Sequence, residues 1–160
     1  MPIATVNPFN NQTVKSFEEL SKSQIEEALA AADTAFVAWS RTPYTQRAEL
    51  LKAIAEILRD RTDELAVLLT TEMGKLVAES SAEIGLSAAI FDYYAENGER
   101  FLADKPLKTA HGDALVRHSP LGVVLGVAPW NFPFYQVARF AAPNIMIGNA
   151  VMVKHASNVP

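Results

Sequence analysis

The stretch from Leu121 to Lys154 constrains the fold most. Val123-Val124-Leu125-Gly126-Val127-Ala128 is a continuous apolar run, partly β-branched, which suits a strand buried on both faces. Ala150-Val151-Met152-Val153-Lys154 reads as a second strand of the same kind. Between them, Pro133 to about Ile147 is mostly apolar and helix-compatible, with Pro143 forcing a kink or a new turn. Gly148-Asn149 stops that helix. Strand, helix and strand over about 30 residues make one βαβ unit, which argues for a parallel pair. Such a pair needs more strands, and helices over both faces. The sequence therefore reads as the start of a larger α/β protein whose sheet is incomplete.

Composition narrows the function classes. Of 160 residues, 49% are hydrophobic and 20% charged, the balance of a globular domain rather than a disordered one. The net charge of −4 argues against a nucleic-acid or polyanion binder. The chain holds no cysteine, so it contains no disulfide, Cys-ligated metal or thiol nucleophile of its own. No apolar run reaches the roughly 18 residues of a membrane helix. The longest candidate, Leu121 to Phe134, is interrupted by Gly122, Gly126, Pro129, Asn131 and Pro133. No basic region followed by an apolar stretch opens the chain. The expectation is a soluble, cytoplasmic protein with no nucleic-acid or membrane partner.

The N-terminal half has a different period. Asn7-Pro8 and Asn10-Asn11 are turn signals, with a short strand or extended arm expected on each side. Ser23-Gln24-Ile25-Glu26 fits a capping box. Ile25, Ala28, Leu29, Ala32, Phe36 and Trp39 then recur at helical spacing. Thr42-Pro43 suits the start of a second helix with Pro in its first turn, and Leu50, Leu51, Ile54 and Leu58 form its apolar face. A third helix presents Leu65, Leu68 and Leu69 and stops at Gly74, a candidate left-handed cap. A fourth runs from about Lys75 to Asn97, with Gly98 behind it. Ala114 to His118 reads as a short strand.

Few residues can carry chemistry. Pro129-Trp130-Asn131-Phe132-Pro133 lies between strand and helix, where two prolines fix the backbone and two aromatics anchor it. Ligands of open α/β sheets bind beyond the carboxyl ends of strands. An amide held there, that of Asn131, can donate to a developing oxyanion, or it can simply bond the turn backbone. Lys154 also sits at a carboxyl end. With His155-Ala156-Ser157 it offers a cation and a hydroxyl for ribose or phosphate, unless it is a surface lysine beside a loop. Arg139, inside an apolar stretch, needs an anionic partner, either one of the chain's own carboxylates or a substrate's. His111, His118 and His155 lack metal-ligand spacing, and neither the dinucleotide fingerprint nor the Walker pattern occurs. Glu72-Met73-Gly74-Lys75 reads as a helix end.

Taken in order, these features resemble the N-terminal third of the NAD(P)-dependent aldehyde dehydrogenases. They are Asn7-Pro8, Ala32 with Phe36 and Trp39, Arg47, Glu72-Met73-Gly74-Lys75, Tyr94-Ala95, Pro120-Leu121-Gly122-Val123, the Pro129–Pro133 block, and Gly148-Asn149 to Lys154. The opening Met1-Pro2-Ile3-Ala4-Thr5 and the closing Lys154 to Pro160 are most similar to the bacterial succinate-semialdehyde branch. The resemblance implies an α/β fold: N-terminal helices plus the first βαβ unit of a Rossmann-like cofactor domain, incomplete. It divides the chain into an arm (1–21), a helical segment (22–98), a strand that in the family joins the oligomerisation sheet (112–119) and the βαβ unit (121–160).

The resemblance also assigns roles. Asn131 matches the oxyanion donor used when a cysteine thiolate attacks the aldehyde, and Trp130 borders the cofactor with it. Lys154, with His155, Ala156 and Ser157, matches the segment that grips the adenosine ribose of NAD or NADP. Ser157 stands where many NAD-preferring members carry an acid, which leaves room for a 2′-phosphate. His155 departs from the commoner proline. Arg139, with Tyr135, matches the site that holds the far carboxylate of succinate semialdehyde. No metal is implied. The family's nucleophilic cysteine and general-base glutamate lie beyond residue 160, so the chain alone is expected to be inactive. A homo-oligomer, or docking onto a full-length subunit, is the expected assembly.

Overall fold

A computed structural model describes residues 3–160. The arm is an antiparallel hairpin of β1 (Ile3–Asn7) and β2 (Gln12–Phe17), turned at Asn11 in a left-handed conformation. Four helices follow: α1 (Lys22–Trp39), α2 (Tyr44–Asp60), α3 (Thr62–Met73) and α4 (Val77–Leu102). A second antiparallel hairpin, β3 (Lys105–Thr109) with β4 (Gly112–Val116), leads to the βαβ unit. That unit is β5 (Val123–Val127), α5 (Pro133–Ile147) and β6 (Ala150–Lys154), its strands parallel and in register from Val123↔Ala150 to Val127↔Lys154. No described helix is long and apolar enough to cross a membrane.

The core lies among helices. Leu51 and Ala55 of α2, Ala88, Phe91 and Ala95 of α4, and Ala138, Ala141, Ala142 and Met146 of α5 form one buried cluster. The small side chains let α4 and α5 approach closely. At Gly98 a Cβ would stand 2.3 Å from the Met146 Cγ. A smaller cluster of Leu65, Leu69 and Ile84 joins α3 to α4.

The C-terminus of α5 is closed by groups from the N-terminal half. Trp39 Nε1 donates to the Ile145 carbonyl at 2.9 Å. The buried Arg47 guanidinium donates to the Met146 carbonyl at 3.1 Å, and to the Trp39 and Ser40 carbonyls at 3.3 and 2.9 Å. Burial pulls the Arg47 guanidinium below its ordinary range, and the charge interaction with the Tyr44 phenol partly opposes this. Gly148 ends the helix at φ 108°, where a Cβ would lie 2.9 Å from an Arg47 nitrogen.

Several expectations are corrected. The capping box uses Ser21 and Gln24, because the chain enters the helix two residues earlier than Ser23. Pro43 stands just outside α2 as its N-cap. The fourth helix continues to Leu102, and Gly98 is inside it because α5 needs the space. The strand expected at 114–118 is Gly112–Val116, paired with Lys105–Thr109, which the Lys-Pro-Leu-Lys-Thr sequence does not advertise as a strand. α3 ends, as expected, at a left-handed Gly74.

The strands are not covered on both faces. Gly126 abuts the Phe140 ring of α5, while Leu125 and Val127, on the opposite face, are 61% and 72% exposed. The apolar stripe of α1 is also largely open, with Ile25 and Leu29 nearly half exposed.

Replacing Arg47 by Met leaves three carbonyls without their donor. At about 1 kcal/mol or more for each, the expected loss is about 3 kcal/mol in a denaturant melt. Arg47→Lys should fall between that variant and the wild type.

Candidate active-site edge

Two loops leave the same edge of the parallel pair. The Ala128 N–H donates to the Lys154 carbonyl at 3.0 Å, so the Pro129–Pro133 turn and the Lys154–Ser157 segment start side by side at the carboxyl ends of β5 and β6. The first loop carries Trp130 and Asn131, both exposed. Among the described residues, no group of the chain bonds the Asn131 amide, so it does not serve the turn backbone.

The second loop is backed by the N-terminal hairpin. The Ala4 N–H donates to the Ser157 carbonyl at 3.2 Å, and the buried Thr5 hydroxyl donates to Glu72 at 2.7 Å. Lys154, His155, Ala156 and Ser157 line a cavity of about 550 Å³ with Phe17 and Glu19 of the arm. Lys154 is exposed and Ser157 half-buried.

Arg139 and Tyr135 lie apart from this cleft, in a groove of about 340 Å³ between α5 and α4, opposite Tyr93 and Tyr94. The Arg139 guanidinium sits 5.6 Å from the centre of the Tyr135 ring. None of the ion pairs among the described residues includes it. The chain's own carboxylates therefore leave this cation available.

The residues that build the edge include two that sequence reasoning overlooked. Phe132, the N-cap of α5, supplies no capping side chain. Glu83, buried in α4, supplies the cap from outside: its Oε1 accepts from the Phe134 and Tyr135 N–H groups at 2.9 and 3.2 Å. Its Oε2 pairs with Lys75, whose side chain is only 8% exposed and lies 3.9 Å from the centre of the Phe132 ring. A signal was available. Glu83 falls on the stripe Ser80, Ile84, Ser87, Ala88 and Phe91, all buried, where a carboxylate requires partners.

Among the described residues no cluster of His, Asp or Glu could hold a metal ion.

Comparison with known proteins agrees with this architecture. Residues 1–160 match the profile of the aldehyde dehydrogenase family. The chain is 48% identical to a succinate-semialdehyde dehydrogenase of Deinococcus radiodurans named for NADP(+), over 99% of this chain and 33% of that protein. It is 47% identical to a like-named protein of Mycobacterium ulcerans, over 100% of this chain and 36% of that one. A solved succinic semialdehyde dehydrogenase from Streptococcus pyogenes in complex with NADP+ superposes with a TM-score of 0.96 at 36% identity, over 99% of this chain and 35% of that one. The chain spans about a third of the length of the curated relatives it matches. With a backbone that superposes closely on a solved relative and a profile match along its whole length, this chain belongs to the aldehyde dehydrogenase family.

Proposed function

We propose that this chain is the N-terminal, cofactor-side part of a dehydrogenase that oxidises succinate semialdehyde to succinate with NADP, and that by itself it does not turn over. The observation that carries the reading is the shared strand edge, where the Asn131 turn and the Lys154–Ser157 cleft start from adjacent, hydrogen-bonded residues. The relatives named for this substrate and for NADP support it.

The cleft fits a nucleotide's sugar end. Its volume lies within the usual range for ligand sites. Lys154 and the Ser157 hydroxyl are the donors suited to ribose hydroxyls and a 2′-phosphate. Glu19, exposed on the arm, is the one carboxylate on this wall. When bound, the cofactor supplies the acceptor for hydride. The chain's own residues do the rest of the work at this edge: Lys154 and Ser157 hold the sugar, Trp130 flanks the cofactor, and Asn131 presents its amide to the aldehyde oxygen as charge develops there. Arg139, with Tyr135 beneath it, takes the far carboxylate of the substrate through charge-assisted hydrogen bonds.

A nucleophile must come from outside these 160 residues, since the sequence has no cysteine. A second reading, a truncated subunit that docks onto another chain or binds nucleotide weakly, draws on the open apolar faces at Leu125, Val127, Leu107 and Leu115.

Three measurements test the proposal. The purified chain alone should produce no reduced-nicotinamide absorbance with succinate semialdehyde and NADP. Turnover that disappears on Asn131→Ala would overturn the division of labour. In a full-length dehydrogenase that begins with this chain, Arg139→Ala should raise KM for succinate semialdehyde roughly ten- to a hundredfold, the worth of a charge-assisted hydrogen bond. An uncharged aldehyde of similar length should be little affected, and equal losses would make Arg139 structural. Ser157→Glu should weaken NADP by at least about tenfold relative to NAD, because a carboxylate would face the 2′-phosphate. Equal weakening of both cofactors would move the sugar site elsewhere.

A further inference from the structure

We infer that Glu83, with Lys75, is a positioning residue for the Asn131 amide. The inference rests on the dehydrogenase reading and concerns how that site is held. The accounting of hydrogen bonds at the start of α5 leads to it. Pro133, the first helical residue, has no N–H to satisfy. The next two, Phe134 and Tyr135, both donate to Glu83. The Gln136 N–H returns to the Phe132 carbonyl at 2.9 Å, as in any helix. Every donor of the first turn is thus occupied, and the acceptor that occupies two of them belongs to another helix.

The grip extends to the turn itself. Lys75 is tied to the second oxygen of Glu83 and lies under the Phe132 ring. The cation is nearly buried while Phe132 keeps part of its surface in solvent, and a cation against a ring face holds it by electrostatic attraction. On the other side, Ala128 is fixed to Lys154 by its N–H. Only Pro129, Trp130 and Asn131 bridge these two anchors, and Pro129 has a locked φ. The Asn131 amide has no partner within the described chain to orient it. The backbone on either side therefore sets where the Asn131 side chain departs, and Glu83 and Lys75 hold the C-terminal side of that backbone.

A carboxylate is well suited to this task. It faces the positive end of the α5 dipole, and it accepts from two adjacent N–H groups while keeping an oxygen for the ammonium group. Glutamine at position 83 would keep one acceptor oxygen but turn a donor amide towards Lys75. The first turn of α5 would then shift, and Asn131 with it. An oxyanion donor acts only near its productive geometry, and displacement of about 1 Å can cost about 10²-fold.

The test is a double-mutant cycle in a full-length dehydrogenase that begins with this chain, with kcat and the NADP dissociation constant as readouts. Asn131→Ala should lower kcat by about 10²–10³. Glu83→Gln should lower kcat by roughly ten- to a hundredfold and change the NADP dissociation constant far less, since Lys154 and Ser157 hold the sugar on the other loop and only Trp130 shares the Asn131 turn. In the Asn131→Ala background, Glu83→Gln should cost nothing further, because there is no amide left to misplace. An equal loss in both backgrounds, or no loss in either, overturns the inference. If Glu83→Gln does not fold, Glu83→Asp keeps the charge one methylene short. It should give a smaller loss that likewise vanishes without Asn131, and an undiminished loss there overturns the inference in the same way. Absence of aldehyde oxidation by the unmutated full-length protein would instead overturn the dehydrogenase reading, and this inference with it.

Discussion

Helix α5 is held at both ends by buried charges of the sign its dipole requires. At its N-terminus the Glu83 carboxylate accepts from two first-turn N–H groups. At its C-terminus the Arg47 guanidinium donates to the Met146 carbonyl. Negative charge at the start and positive charge at the end of a helix are each favourable, more so when water is excluded. Both charges come from the helical half, Glu83 from α4 and Arg47 from α2. The helix that crosses between the two parallel strands is therefore located by elements that are not part of the βαβ unit. The strand edge, and both loops that leave it, inherit that placement.

This explains why the helical half packs as it does. The contact between α4 and α5 sets alanines and Gly98 beside Phe91 and Met146, and the small residues bring the helices close enough for the Glu83 side chain to reach across. Larger residues would give more apolar burial but would hold α5 too far away for the cap. Arg47 likewise requires Gly148, whose missing Cβ makes room for the guanidinium. Glycine serves two needs there, the left-handed turn and the close approach.

Much of the fold was legible. The two apolar strands, the interposed helix and the Gly74 stop each announce themselves within a short window, since strand and helix periods are local properties. The placement of the two candidate loops was legible for the same reason: Asn131 stands between prolines, and Lys154 ends a strand. What escaped has a common cause. Glu83 meets its backbone partners on α5 at 51 and 52 positions downstream, and Lys75 meets the Phe132 ring at a similar remove. Within α4 alone, Glu83 is one of several carboxylates. The extension of α4 past Gly98 escaped similarly, because glycine reads as a stop unless the partner helix is known. β3 lacks β-branched periodicity and is a strand only because β4 supplies its ladder. The open faces of β5 and α1 show the opposite limit: the sequence pattern asks for cover that these residues alone do not provide.

The clasp between the arm and the Lys154–Ser157 segment has a consequence in time. Ala4 bonds Ser157, so the first strand of the chain finds one of its partners about 150 residues later. A ribosome adding about 5–20 residues per second makes that partner roughly ten to thirty seconds after the strand itself. During that interval the hairpin can close on itself, and α2 to α4 can pack on one another, whereas α1 must await the strands β5 and β6 that it packs against. The wall behind Lys154 and Ser157 cannot form. On a growing chain, the packing of α2 to α4 therefore precedes the cavity beside Lys154 and Ser157, and the strand that carries Ala4 is among the last segments to reach its final neighbours.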